Sequence, residues 1–220
     1  MKFPHAYHGV KKIFYAEFVA IVAAIVALIA TIIASFFGDS PSQGIYNANL
    51  TLNIITLAVS IVVFVIELIG LIQGSKDSRE FRIGLWAIAI GIAASVTYLI
   101  LLSIESTRTL SPILFAVLGT VGTVADFVVV LCVLLGISAL ADRLGNGEME
   151  ERGRKLAFYI IIFYIVVLVF GLLPGFKGYI VNPGLRLFFS ILIAAAFVIE
   201  IFIYVSTLIY LHNATEMLEE

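Results

Sequence analysis

Residues 113–141 read ILFAVLGTVGTVADFVVVLCVLLGISALA, a run of 29 residues whose only charge is Asp126. The hydrocarbon core of a bilayer is about 30 Å thick and takes about 20 helical residues to cross. The run is therefore read as a membrane-spanning helix. Its Val and Phe would suit a strand in water. Inside lipid each backbone N–H must find an acceptor within its own segment, and a helix of this length supplies that. A transmembrane barrel is excluded, because barrel strands alternate polar and apolar residues and this run does not.

Outward from that run lie five further apolar stretches, at 13–37, 51–73, 83–104, 156–173 and 187–211. The expected fold is all-α: a polytopic membrane protein with six transmembrane helices in a single transmembrane domain over 1–220. Bulk composition agrees. The chain is 62% apolar and 13% charged, with mean hydropathy +1.14, against about 25% charge in a soluble domain. A soluble enzyme and a disordered tail are excluded. The formal charge of −2 leaves no basic footprint for nucleic acid. One cysteine cannot form a bridge within the chain.

Loop charges set an orientation. Lys2, Lys11 and Lys12 precede the first span, Lys76, Arg79 and Arg82 follow the second, and Arg143, Arg152, Arg154 and Lys155 follow the fourth. These ten of the 13 basic residues share one side; Arg108, Lys177 and Arg186 take the other. The positive-inside rule places the basic side, and with it both termini, in the cytoplasm. The loops 38–50 and 177–183 then lie outside. The first span is too long for a signal-peptide core and is expected to stay uncleaved.

The spans suggest three parallel helical hairpins. Each odd span opens with basic residues followed by an aromatic: Tyr15, Trp86, and Phe158 with Tyr159. Each even span carries one carboxylate, and Phe64-Val65-Ile66-Glu67 recurs as Phe197-Val198-Ile199-Glu200. The opening Gly9-Val10-Lys11-Lys12-Ile13-Phe14-Tyr15-Ala16-Glu17, together with Gly74-Ser75-Lys76-Asp77 running into Arg82, resembles the N-terminal third of uncharacterised small multi-pass membrane proteins of Gram-positive gut-type bacteria. That resemblance implies a bacterial plasma membrane and carries no activity.

Small residues mark the expected helix seams. Ala16, Ala20, Ala23, Ala27, Ala30 and Ala34 recur at steps of three and four, one face of the first span. Gly119, Gly122 and Asp126 share a face of the fourth, and Gly70 and Gly74 pair at the end of the second. Small residues at such spacing let helices approach closely in lipid.

Four acids lie within the spans, Glu17, Glu67, Asp126 and Glu200, with no base inside any span. Glu17 is within about 1.5 turns of Lys12 and is assigned to the interface, with a surface or ion-pairing role. The other three are the candidates for ion or proton handling. Inserting a charged acid at a helix centre costs about 2.5–3.5 kcal/mol. Neutralising a Glu at pH 7 costs about 3.7 kcal/mol from its reference pKa. The two costs are close, so such a group changes state under mild conditions. The competing structural reading is a protonated carboxyl bonded to Thr120, Thr123, Tyr98, Ser95, Tyr204 or Ser206.

No catalytic, metal or cofactor motif is present: there is no G-x-S-x-G, Walker A, H-E-x-x-H or Cys/His cluster. Glu150-Glu151-Arg152-Gly153-Arg154 lacks the spacing of an intramembrane protease motif. The run 148–155 reads as a solvated loop or a helix extension held by i, i+4 pairs, the histidines as solvated and the acidic tail as frayed. Neither an enzyme nor a cofactor is expected. Two functions remain. The first is proton- or cation-linked transport through Glu67, Asp126 and Glu200, which requires these three to converge. The second is a non-transporting scaffold or accessory subunit of a membrane complex. Expected partners are the lipid bilayer and a membrane protein or second copy.

Overall fold

The computed structural model describes residues 2–36, 43–103, 112–172 and 183–219. It is all-helical there: α1 (Pro4–Phe36), α2 (Gln43–Gly74), α3 (Arg79–Ser103), α4 (Pro112–Leu144), α5 (Gly147–Leu172) and α6 (Pro183–Glu219). Five helices are long and apolar enough to cross a membrane, over Pro4–Ala30, Ile54–Gly74, Arg79–Leu101, Val117–Leu144 and Ala194–Glu219. Among the described residues α5 is not one of them; the sixth expected span, 156–173, lies partly outside the described side chains.

Several boundaries move. Helix α1 starts nine residues before the apolar run, and α6 continues through the acidic tail. Residues 43–50, expected in an outer loop, belong to α2. The 38–42 segment, the turn at Pro174 and most of loop 177–183 lie outside the described residues.

Local chemistry explains the two short turns at the basic end. Gly145 adopts φ +76°, a conformation that glycine takes without strain. There the N–H of Asn146 bonds the Ala141 carbonyl and that of Gly145 the Asp142 carbonyl, both at 2.9 Å. This is a Schellman stop for α4. Asn146 then caps α5, its Oδ1 accepting from Met149 N–H at 3.1 Å. Three ion pairs line the first turns of α5: Glu148–Arg152 at 2.6 Å, Glu150–Arg154 at 2.7 Å and Glu151–Lys155 at 2.6 Å. The run 148–155 is thus a helix extension. Beside Lys155, the Glu151 carboxyl is held below its ordinary range.

The α2–α3 turn also caps α1. Asp77 Oδ2 accepts from Ala6 N–H at 2.7 Å, and the Asp77 carbonyl accepts from Arg143 Nη1 at 3.1 Å. One residue so ties together the start of α1 and the end of α4.

Each helix packs on the next in sequence, and α6 returns to α1, closing a ring. The most extensive pairings are α3 with α4 and α1 with α2, and α5 leans more on α4 than on α6. The buried core collects at the basic end. Ala6, Tyr7, Val10, Leu71, Phe81, Ile137, Leu140, Ala141, Leu211, Ala214 and Leu218 belong to it. The supposed tails are therefore structural: His5 and His8 are exposed, but Ala6 and Tyr7 between them are buried. Phe81 is fully buried, its ring against Gly74 and Gly136. Away from that end, the described residues of 18–30, 54–62, 95–101, 114–124, 161–167 and 191–202 include no buried side chain.

Candidate functional site

The site begins with a close helix crossing. A Cβ added to Gly9 would stand 2.5 Å from the Gly70 carbonyl oxygen and 2.8 Å from the Gly74 nitrogen. Only glycine admits that approach of α1 to α2. The crossing fixes the register: Gly9 answers Gly74, Ile13 answers Gly70, and one turn farther Glu17 meets Glu67. The seam continues from there, with Ala16 buried and Ala20, Ala23, Ala27 and Ala30 half-buried, while Val22, Ile25, Leu28 and Ile29 are exposed. Ala34 lies outside the described side chains.

The Glu17 and Glu67 carboxyls face each other across the crossing, close enough to interact directly. Both are half-buried. From α6, Tyr204 donates its hydroxyl to Glu17 Oε2 at 2.6 Å, with the Glu17 carbonyl 2.8 Å away. Three helices thus meet on one pair of acids. Two carboxylates this close repel each other when both are charged, so a proton or a cation shared by the pair would relieve it. Among the described residues the ion pairs lie at the basic end, on α5 and the last turns of α6.

The three acids chosen from the sequence do not converge. Glu67 is in the cluster. Asp126 is exposed on α4, within electrostatic reach of Glu67 and of Tyr164 on α5. Tyr164 donates to the Thr123 carbonyl at 2.6 Å and stacks on Phe127 with centroids 4.1 Å apart. Glu200 is exposed and, among the described residues, makes no hydrogen bond or ion pair. It stands one turn from Tyr204 on nearly the same face of α6, about 6 Å farther from the basic end. The Phe-Val-Ile-Glu identity therefore places its two glutamates in different surroundings. Their neighbours differ because Glu67 faces the glycine crossing of α1 and α2, which α6 lacks.

Glu17 is the residue that sequence reasoning missed. It was placed at the interface from its distance to Lys12, whereas its partner is a second acid. The glycines at 9, 70 and 74 held the signal, since they set which residues of two antiparallel helices face each other. Of the expected hydroxyl partners, Tyr204 alone bonds a carboxylate among the described residues. Thr123 and Ser206 bond carbonyls of their own helices, and Tyr98 packs edge-on to Phe115.

Gly122 has the Ser95 hydroxyl at 3.9 Å from an added Cβ, and Gly119 has nothing within 4 Å. That stripe therefore meets α3 at one position. Among the described residues no three His, Cys, Asp or Glu side chains group as metal ligands. Cys132 is buried with its Cβ against Gly84. No family model, curated protein or solved structure matches the chain.

Proposed function

We propose that this chain is a multi-pass protein of the plasma membrane, with α5 as its sixth span and both termini cytoplasmic, that moves protons in a transport cycle. The observation that supports the reading is the juxtaposition of Glu17 and Glu67, with Tyr204 donating to Glu17. In this reading the two half-buried acids share a proton that exchanges with water when the helices shift. Asp126 stands near enough to Glu67 to influence that exchange. Glu200 is not assigned a part in the pair.

The test is proton flux into proteoliposomes under an imposed pH gradient, followed with an entrapped pH dye. Glu17→Gln and Glu67→Gln are each expected to reduce flux to that of empty vesicles. Glu200→Gln is expected to retain most of it. Unchanged flux in both Glu17→Gln and Glu67→Gln would refute the proposal.

The same juxtaposition also favours the scaffold reading, because it lies where α1 crosses α2. Under that reading wild-type vesicles show no flux above empty ones, and the glutamine variants lose stability only.

A further inference from the structure

We propose that the groove between α3 and α4 is a binding site for an anionic phospholipid. The groove encloses about 360 Å³ and is lined almost wholly by apolar groups, among them Ile83, Trp86, Ile90, Val121, Val124 and Val128. Apolarity alone would accept any acyl chain. The selective element is the face of α3 beside it. Arg79, Arg82, Trp86 and Ile90 follow at steps of three, four and four, and so share one face. All four are exposed, Trp86 at 69% of its surface.

The order along that face matches the order of a lipid. Guanidinium groups suit a phosphate, which they bind through paired N–H donors. An exposed tryptophan one turn deeper suits the headgroup boundary, where indole is enriched. Aliphatic side chains follow at acyl-chain depth. Among the described residues Arg82 makes one long contact, to the Ser75 carbonyl at 3.5 Å, and its other donors have no partner there. Glu80 is the acid nearby. It accepts from Ser78 and feels Arg143 and Arg79, so it offsets Arg79 more than Arg82. Basic side chains at the end of membrane helices, here on the face beside an apolar groove, suit acidic lipid headgroups. The inference rests on the membrane placement of the helices and not on proton handling.

Trp86 is the sole tryptophan of the chain, so intrinsic fluorescence reports this site directly. The experiment reconstitutes the full chain in vesicles. It compares quenching by acyl-brominated phosphatidylglycerol with quenching by acyl-brominated phosphatidylcholine at equal mole fraction. The wild type is expected to prefer the anionic lipid by about fivefold, the effect of roughly one arginine at a charged lipid surface. Arg79→Ala/Arg82→Ala is expected to bring that ratio to about one, with far-UV circular dichroism unchanged. Val124→Phe, which narrows the groove, is expected to reduce quenching by both lipids. If the arginine variant loses helix, raised salt on the wild type supplies the same arm and is expected to lower the ratio. Equal quenching by the two lipids in the wild type would overturn the proposal, as would a preference that survives removal of both arginines. No quenching by either lipid would overturn the membrane placement itself.

Discussion

Gly9→Ala adds one methyl group at the tightest point between α1 and α2. The new carbon would stand 2.5 Å from the Gly70 oxygen, 2.8 Å from the Gly74 nitrogen and 3.3 Å from the Gly74 Cα. Ordinary contact starts at 3.4 Å, so the helices must part locally by about 0.9 Å. All three atoms are backbone, and no rotamer change relieves them. Overpacking of this kind costs about 3 kcal/mol at the upper end of its range. Alanine returns about 1 kcal/mol of helix propensity over glycine. A net loss of about 2 kcal/mol is expected from these two terms. Gly119→Ala makes the same chemical change where nothing lies within 4 Å, and it is expected to be neutral or to stabilise by up to about 1 kcal/mol. Unfolding of the detergent-solubilised protein by dodecyl sulfate, followed by circular dichroism and Trp86 fluorescence, measures both. The parting of α1 and α2 also reaches Glu17 and Glu67, two turns along, so Gly9→Ala should lower proton flux as well. Equal stability of the two alanine variants would refute the reasoning.

Substitutions at three other positions probe separate links. Tyr204→Phe removes the donor that joins α6 to Glu17 and is expected to cost about 0.6–1.7 kcal/mol in the same titration, the range of interhelical hydrogen bonds in membranes. Phe81→Ala empties the site between Gly74 and Gly136 and is expected to cost about 3–5 kcal/mol, read as a lower dodecyl sulfate midpoint. Asp77→Ala removes the cap on α1 and is expected to cost about 1 kcal/mol, whereas Asp77→Asn keeps most of it because Asn caps equally well. Hydrogen exchange at Ala6 and Tyr7 distinguishes the last two.

The helices were legible because lipid leaves the chain few choices. A run such as 113–141 must satisfy its own backbone, and it does so as α4. Helix ends were less legible. Hydropathy marks where a helix leaves lipid, but α1, α4, α5 and α6 continue into a packed region at the basic end. That region is held by Asp77, Asn146 and Gly145, whose caps and turns act beyond any apolar window. The acids were legible as a set and not as a site. Burial cost singles out Asp126, yet which acid meets which depends on helix register. Register here is set by three glycines and not by the acids. The repeated Phe-Val-Ile-Glu drew Glu200 in with Glu67, although only Glu67 lies beside the crossing.

The closed ring has a consequence for biosynthesis. The ribosome delivers α1 well before α6, yet these two helices pack on each other and Leu218 shares a buried cluster with Ala6, Tyr7 and Val10. Until the last turn of α6 emerges, the first helix has an uncovered flank and Glu17 waits for Tyr204. A nascent chain halted before Leu218 therefore leaves apolar surface uncovered at the basic end. Of this pair, the later-made helix completes the seat of the earlier one.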